Sequence, residues 1–143
     1  MSGLKRLHVN TRPYECNICG SSEVRFCSNA IIYGRQYGSG YCYYCFRCKS
    51  YVGTHKNNPR ESLGILATKD MRELKKKCHA IFDRQWSNKR ERDDLYLWLA
   101  DELGITKGSC HFGWADMDLL QKAYRILVDK FGEVDDNREL ANG

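Results

Sequence analysis

Apolar residues recur every three or four positions along the second half of the chain. Because an α-helix completes a turn in 3.6 residues, this spacing places apolar side chains on one helical face. The pattern predicts three helices, which begin near Asp70, cover about 89–103, and extend from about Asp116 to Phe131. Gly104 and Gly132 follow the last two, where glycine commonly ends a helix. The helical core is expected to contain Trp86, Trp98, Leu99, Leu120, Ala123 and Leu127.

The first half of the chain has a different pattern. Polar and apolar residues alternate at 23–26, and β-prone residues recur at 30–33, 41–44 and 51–53. Glycines between the second and third of these stretches allow the chain to turn. We therefore predict a small antiparallel hairpin or a three-stranded ribbon.

Pairs of cysteines lie at both ends of this predicted sheet. Cys16 and Cys19 precede it with two residues between them, whereas Cys42, Cys45 and Cys48 offer two overlapping pairs with the same gap. Two C-x-x-C pairs at about this distance are typical of a structural zinc site, in which each loop offers two thiolates to one tetrahedral ion. A single zinc ion accepts four ligands, so the second pair is ambiguous from spacing alone.

We choose Cys45 and Cys48 as the second pair. Gly20 follows the first pair and Lys49 follows the second, at the position where the backbone has to turn back towards the sulfurs. Cys42 then becomes a strand residue that faces the core. The predicted ligands of one structural Zn²⁺ are Cys16, Cys19, Cys45 and Cys48.

Disulfides or plain buried thiols are the alternative for these cysteines. The N-terminus lacks the apolar stretch of a signal peptide, and no run of 18 apolar residues occurs. We therefore expect no membrane partner and a cytoplasmic location with reduced thiols, which disfavours disulfides. Cys27, Cys78 and Cys110 lack the paired spacing, and we interpret them as small apolar residues.

Together these patterns predict an α+β fold, in which an N-terminal zinc ribbon packs against a C-terminal bundle of about three helices. The boundaries are a basic flexible arm at 1–13, the zinc ribbon at 14–60, a helical region at 61–132 and an acidic disordered tail at 133–143. Since each half is small, we expect the ribbon and the helices to share one core.

Charge is distributed unevenly along the chain. Residues 1–60 contain nine Lys/Arg and two Glu, a net +7, whereas residues 61–143 contain fourteen Lys/Arg and sixteen Asp/Glu, a net −2. Seven of the nine tyrosines lie between Tyr14 and Tyr51. Cations contact phosphates and rings stack on bases, so this half has the composition of a nucleic-acid surface. Small ribbons also use aromatic residues as core and cations as a solvated face, so both interpretations stay open.

The first interpretation predicts that DNA or RNA is the partner. Tyr41, Tyr43 and Tyr44 are further rings that could stack on bases. The alternative is a zinc-stabilised protein-interaction module that binds host machinery, because zinc ribbons also bind proteins. The candidate nucleic-acid contacts are Arg12, Arg25, Arg35, Tyr37, Arg47, Lys49 and Lys56.

A set of short motifs extends in order along residues 14–128. It includes Tyr51-Val52-Gly53-x-His55, Leu63-Gly64, Lys77-x-His79-x-x-Phe82-Asp83-x-x-Trp86 and His111-x-Gly113-x-x-Asp116. In this set the chain resembles a family of short zinc-finger-containing proteins found in bacteriophages and bacterial genomes. The resemblance implies a phage-encoded or phage-derived accessory factor in a host cytoplasm, and it implies no biochemical activity. In that family a Tyr-Val-Gly element follows a C-x-x-C pair by two residues, which supports Cys45 and Cys48.

An enzyme is the least favoured alternative. His79 and Asp83 are four residues apart on one predicted helix, so they can share a face and form a His–carboxylate pair or a metal site. His111 and His55 are candidates to join them. The favoured account is structural, with Asp83 capping Trp86 or the following turn, because a second catalytic motif is missing.

Overall fold

The structure is a computed structural model that describes residues 10–134. Within that range the chain forms a three-stranded sheet followed by helices, which is the predicted α+β arrangement. Three 3₁₀ turns, at Asp83–Gln85, Lys107–Ser109 and Phe112–Trp114, connect the helices. The elements in chain order are β1 (Val24–Ser28), α1 (Ala30–Tyr33), β2 (Tyr41–Cys45), β3 (Tyr51–Gly53), α2 (Lys69–Phe82), α3 (Lys89–Leu103) and α4 (Met117–Phe131).

The sheet is antiparallel, with β2 between β1 and β3. Because side chains alternate between the faces of a strand, the register defines two faces. The Val24 face carries Val24, Phe26, Tyr43, Cys45 and Val52, most of which are buried. The Arg25 face carries Arg25, Tyr44 and Tyr51, which are paired across the three strands, and the adjacent Cys27 and Cys42.

The prediction of a strand at 30–33 is wrong, because these residues form the short helix α1. The cause lies in the two polar residues before it. Ser28 Oγ accepts a hydrogen bond from the Ala30 N–H, and buried Asn29 bonds both the N–H and the carbonyl of Tyr37 through its side chain. Because such side-chain bonds compete with strand pairing for main-chain groups, the chain turns directly after β1.

The three long helices agree with the predicted ones to within one residue at most ends. Each begins after a polar residue whose side chain accepts a backbone N–H: Thr68 from Met71, Asn88 from Glu91 and Asp116 from Leu119. Of the predicted core residues, four are buried and the two tryptophans are partly buried against them. Among residues 10–134, no helix is both long and apolar enough to cross a membrane.

The expectation of one shared core is wrong, because the buried apolar residues form two clusters. The ribbon cluster consists of Cys16, Val24, Tyr43, Cys45, Val52 and Leu66. The helical cluster extends from Ala67 to Leu127 and takes residues from α2, α3, α4 and the loop between α3 and α4. The boundary therefore lies between the neighbouring residues Leu66 and Ala67.

The segment before α2 joins the two clusters through polar backbone contacts. Asn17 bonds Leu66 twice, since its side chain donates to the Leu66 carbonyl and accepts from the Leu66 N–H. Ala67 pairs with Tyr51 of β3 as an isolated antiparallel bridge. Each bond satisfies a main-chain group that packing would otherwise leave unpaired. The halves thus pack together without merging their apolar interiors.

Gly64 and Gly113 meet where this segment crosses the loop between α3 and α4. The Ile65 N–H donates to the Gly113 carbonyl at 2.9 Å. A Cβ on Gly64 would collide with that carbonyl, and a Cβ on Gly113 would lie 2.7 Å from the Leu63 carbonyl oxygen. Only glycine at both positions allows this close backbone approach.

The predicted terminal segments lie mostly outside the described residues. Residues 1–9 and 135–143 are not among them, so the flexible arm and the acidic tail stay predictions. The described end of the arm contacts the loop after β3. The Ser62 N–H donates to the Thr11 carbonyl, and Arg12 Nε lies 2.9 Å from Glu61 Oε2.

Candidate metal centre

Four cysteine sulfurs form one compact cluster at the edge of the ribbon. The Sγ atoms of Cys16, Cys19, Cys45 and Cys48 all lie within 4.8 Å of one another. Two of the pairs are separated by 3.6 Å and 3.7 Å. With Zn–S bonds of about 2.3 Å, the sulfurs of a tetrahedral site are about 3.8 Å apart. The cluster therefore fits one structural Zn²⁺, and the predicted cofactor is confirmed.

Two loops with matching hydrogen bonds hold these sulfurs, and we call residues 16–21 the first knuckle and residues 45–50 the second knuckle. In the first knuckle the Gly20 N–H donates to the Cys16 carbonyl, and the Cys16 N–H donates to the Ser21 carbonyl. The second knuckle repeats both bonds, with Lys49 in the place of Gly20, Cys45 in the place of Cys16 and Ser50 in the place of Ser21. The repeated pattern points the sulfurs of both loops towards a common centre.

One residue in each knuckle adopts a left-handed conformation. Gly20 has φ of +76°, and Lys49 has φ of +68°. Lys49 is the only non-glycine residue between 10 and 134 with positive φ. Glycine adopts this conformation without a steric cost, whereas a lysine Cβ is strained there. The predicted backbone turn after each cysteine pair is therefore present, and the second one is strained.

The thiols of the cluster differ in acidity. Burial raises the pKa of Cys16 to about 12. Burial also opposes ionisation of Cys48, but the hydroxyl and backbone of Ser50 lower its pKa to about 6. Zinc binds cysteine as the thiolate, so metal binding would release the proton that the raised pKa keeps on Cys16 at neutral pH. The Ile18 N–H, 3.3 Å from Cys16 Sγ, is placed to stabilise the thiolate charge.

Cys42 does not belong to the cluster. It lies on the Arg25 face, fully buried, with its Sγ 3.9 Å from that of Cys27. Burial raises the pKa of Cys42 to about 12, with the neighbouring Cys27 adding to the effect. Cys78 and Cys110 are buried in the helical cluster, as expected for small apolar residues. The ambiguity between the overlapping pairs is thus settled by register, because Cys42 faces away from Cys45.

The predicted nucleic-acid contacts do not form one continuous group. Arg25 lies on the Arg25 face, and Arg47 and Lys49 are exposed on the second knuckle. Arg35 and Tyr37 are exposed in the loop after α1, where the Tyr37 ring meets Tyr33 at 5.8 Å.

Two other predicted cations lie by the loop that follows β3. Lys56 is exposed in that loop, and Arg12 pairs with Glu61 next to it. The hydrogen bond to Glu61 and its charge raise the pKa of Arg12. Of the tyrosines, Tyr43 is 4% exposed and donates its hydroxyl to the Arg60 carbonyl, so it is a core residue.

Two arginines that the sequence did not indicate lie over aromatic rings of the sheet. The Arg60 guanidinium lies 4.7 Å from the Phe26 ring centroid on the Val24 face. The Arg72 guanidinium lies 4.1 Å from the Tyr51 ring centroid on the Arg25 face. Arg72 belongs to α2, outside the basic first half. The bridge between Ala67 and Tyr51, just before α2, brings it to the sheet, so no local pattern could have indicated it.

The candidate catalytic residues have structural contacts. His79 Nδ1 and Asp83 Oδ2 are 3.9 Å apart, too far for a hydrogen bond, whereas Trp86 Nε1 donates to Asp83 Oδ1 at 3.1 Å. The expected bond between Asp83 and Trp86 is therefore confirmed. Burial lowers the pKa of His79 even though Asp83 opposes the effect. The His111 ring contacts the Tyr96 ring. Among residues 10–134 the cysteine cluster is the one group of potential metal ligands.

Comparison with known proteins identifies one family. A family model described as a zinc-finger-containing domain matches residues 12–130. Searches of curated proteins and of solved structures found no match. The match spans the ribbon, the connecting segment and the three long helices, so the family describes both halves together.

Proposed function

The chain belongs to the family of zinc-finger-containing domains, and we propose that it binds nucleic acid through its zinc ribbon. The observation that carries this proposal is the net +7 of residues 1–60, together with the exposure of the cations and of several rings among residues 10–60. A zinc site of four cysteines has no open coordination position, so the metal acts as a structural support for this surface.

Electrostatics support an anionic partner. The exposed cations at Arg35, Arg47, Lys49 and Lys56 belong to loops held by the zinc-bearing sheet. Four thiolates would leave the metal site with a net charge of about −2, which the nearby Arg47 and Lys49 offset. The remaining positive field attracts a phosphate backbone at long range. The surface thus has the charge and the solvent access that phosphate contacts require.

A salt titration tests this proposal. Zinc-loaded protein is titrated into labelled mixed-sequence DNA and RNA at low salt, and anisotropy gives the affinity. Each phosphate contact releases counterions, so binding is expected to weaken with a log–log slope of about −0.7 to −0.9 per contact. Replacing both Arg35 and Arg47 by alanine is expected to flatten that slope, whereas replacing Tyr37 should lower the affinity with less effect on it.

A matched control separates charge placement from total charge. Lys89 of α3 and Lys130 of α4 are exposed; Lys89 pairs with Asp93, and Lys130 lies over the Trp98 ring of the helical half. Their double replacement by alanine removes the same charge as the Arg35 and Arg47 variant. An equal loss of affinity from both variants, or no binding of any nucleic acid at low salt, would refute the proposal.

A protein-interaction module is the second candidate, and one groove favours it. A cavity of about 680 Å³ lies between the first knuckle and the helical half, and apolar side chains form most of its lining. Ile18 at its rim is 39% exposed. Pulldown from a nuclease-treated bacterial lysate, compared between the wild type and Ile18→Ser, tests this candidate. Nuclease-resistant capture that needs Ile18 would favour protein docking over nucleic-acid binding.

The cellular setting is part of the same proposal. The ordered motifs that resemble short zinc-finger-containing proteins of phages and bacteria support a phage-encoded or phage-derived accessory or regulatory factor. Such a factor would act on nucleic acid in the host cytoplasm. Fluorescence imaging of the tagged full chain in a bacterial cell tests the cytoplasmic location. Fractionation of the lysate with and without nuclease tests whether the chain is associated with nucleic acid.

A further inference from the structure

A row of two tyrosines between two arginines crosses the Arg25 face of the sheet. Arg25 of β1 pairs with Tyr44 of β2, which pairs with Tyr51 of β3. Arg72 of α2 continues the row, since its guanidinium lies 4.1 Å from the Tyr51 ring centroid. Two tyrosines therefore lie between two arginines, and the row contains no carboxylate.

Both arginines are held in place by the main chain and keep donors free. Arg25 Nη1 donates to the Ser22 and Val24 carbonyls, both at 3.0 Å. Arg72 Nη1 donates to the Ala67 carbonyl at 2.7 Å. A guanidinium has five N–H donors, so each retains several for a phosphate after these bonds are made. Because the groups are already oriented, less side-chain entropy is lost when a ligand binds.

Exposed rings flank the row. Phe46 is 51% exposed and its ring contacts Tyr44 at 5.0 Å between centroids. Tyr33 is 54% exposed, and burial together with the nearby Tyr51 and Cys42 raises its pKa, while Arg72 opposes that effect. Large exposed rings on a sheet that already has a core indicate a binding surface.

This surface suits unpaired bases. A ring can stack only on a base whose face is free, and bases in a duplex are stacked on one another. A sheet face presents its side chains on neighbouring strands about 4.8 Å apart and does not enter a groove as a helix does. We infer that the Arg25 face binds single-stranded nucleic acid, with Tyr44 and Phe46 stacking on bases and Arg25 and Arg72 contacting phosphates. This inference rests on the proposed function and specifies that the nucleic acid is single-stranded.

The opposite face of the sheet and helix α3 supply matched controls. Arg60 lies over Phe26 on the Val24 face as Arg72 lies over Tyr51 on the Arg25 face, at similar distances of 4.7 Å and 4.1 Å. Leu97 of α3 is 50% exposed, close to Phe46 at 51%. Arg60→Gln thus removes the same charge, and Leu97→Ser a similarly exposed apolar side chain, from outside the row.

The test measures anisotropy of three labelled probes with full-length, zinc-loaded protein. The probes are oligothymidylate and oligouridylate of about 12 nucleotides, within the usual site size for such surfaces, and a duplex of the same length. Wild type is expected to bind the single strands at least about tenfold more tightly than the duplex. Phe46→Ser should weaken single-strand binding about tenfold, and Arg72→Gln should reduce the salt slope by about 0.7. Both controls should stay within about twofold of wild type.

Zinc content and far-UV circular dichroism confirm that each variant is folded. Equal affinity for duplex and single strand, or an effect of Arg60→Gln as large as that of Arg72→Gln, would overturn the inference and leave nucleic-acid binding in place. Absence of binding to all three probes would remove the proposed function and the inference with it. The thymidylate and uridylate probes differ in both the sugar and the thymine methyl group, so oligodeoxyuridylate is the added probe that isolates the 2′-hydroxyl and identifies DNA or RNA as the partner.

Discussion

The two halves of the molecule are stabilised in different ways. The helical cluster contains fifteen buried residues among those described, whereas the ribbon cluster contains six. Two of these six, Cys16 and Cys45, belong to the sulfur cluster. Removing zinc therefore destabilises the whole ribbon, because few buried apolar residues other than the zinc ligands hold its interior together. A core this small does not fold without a metal or another crosslink.

The comparison also explains how two small cores coexist in one chain. Each half alone buries little surface, yet the segment at 61–68 places Leu66 in one cluster and Ala67 in the other and is held between them by backbone pairing. Because polar contacts depend on direction, this junction fixes orientation while the two interiors stay separate. Damage to one core should therefore affect the other only weakly.

The largest expected effect is on zinc binding and folding of the ribbon. Cys45→Ser should remove zinc, with loss of a binding free energy on the order of 10 kcal/mol, and unfold residues 14–53. Most of the helical circular dichroism should persist, because the helical cluster contains no metal ligand. Metal analysis and far-UV circular dichroism measure both outcomes. Chelation of zinc from wild type should reproduce them.

Cys42→Ser is the control for that variant. Its Sγ lies near Cys27 and outside the sulfur cluster, so one zinc per chain should remain. Loss of zinc from Cys42→Ser together with retention in Cys48→Ser would contradict the assigned ligands.

The next largest effect is on the helical side. Leu99 is fully buried in the helical cluster. Leu99→Ala should cost about 2–5 kcal/mol of unfolding free energy, from lost burial and the cavity left behind. Urea unfolding followed by circular dichroism measures this cost, and a thiol or zinc indicator follows the ribbon in parallel. A zinc-release midpoint that shifts as far as the helical midpoint would show that the two cores unfold as one.

The junction itself is tested by Gly64→Ala. The new methyl group would collide with the Gly113 carbonyl, and neither backbone can move freely, so a loss of about 1–3 kcal/mol is expected in both transitions. Gly108 has open space around its Cβ position, so Gly108→Ala is the matched control. An unchanged stability for Gly64→Ala in both transitions would show that the close approach is not needed.

The smallest expected effects come from substitutions at the left-handed residue of each knuckle. Lys49→Gly relieves the strained φ of +68°, at the cost of a more flexible unfolded chain. The net gain for the ribbon should be about 0.5 kcal/mol. Gly20→Ala, in the corresponding position of the first knuckle, should instead destabilise it by about 1 kcal/mol. Competition with a chromogenic chelator ranks the zinc affinities, and a ranking in the reverse order would refute this account.

The features with local signals could be predicted from the sequence. Cysteine spacing identifies the sulfur cluster, and apolar periodicity identifies α2, α3 and α4, because each depends on residues close together in the chain. The choice of Cys48 over Cys42 followed from the residue after each pair, and the left-handed turn at Lys49 bears out that reasoning.

Features that depend on distant contacts could not be predicted in this way. The short helix α1 has the β-prone sequence Ala-Ile-Ile-Tyr, and its conformation is set by Asn29, whose side chain bonds a residue eight positions away. The separation into two cores depends on which sides of the chain Leu66 and Ala67 face. Arg60 and Arg72 reach the sheet only after the connecting segment and α2 have packed. In each case the deciding partner is absent from the local pattern.

The contact between Gly64 and Gly113 has a consequence for synthesis on the ribosome. All four zinc ligands lie within the first 48 residues, so the metal can bind before the helices have been translated. The glycine contact has to wait until residue 113 leaves the exit tunnel, since the two partners are far apart in the chain. Domains commonly fold from the N-terminus as they emerge. We therefore expect a nascent chain that binds zinc early and docks its second half last.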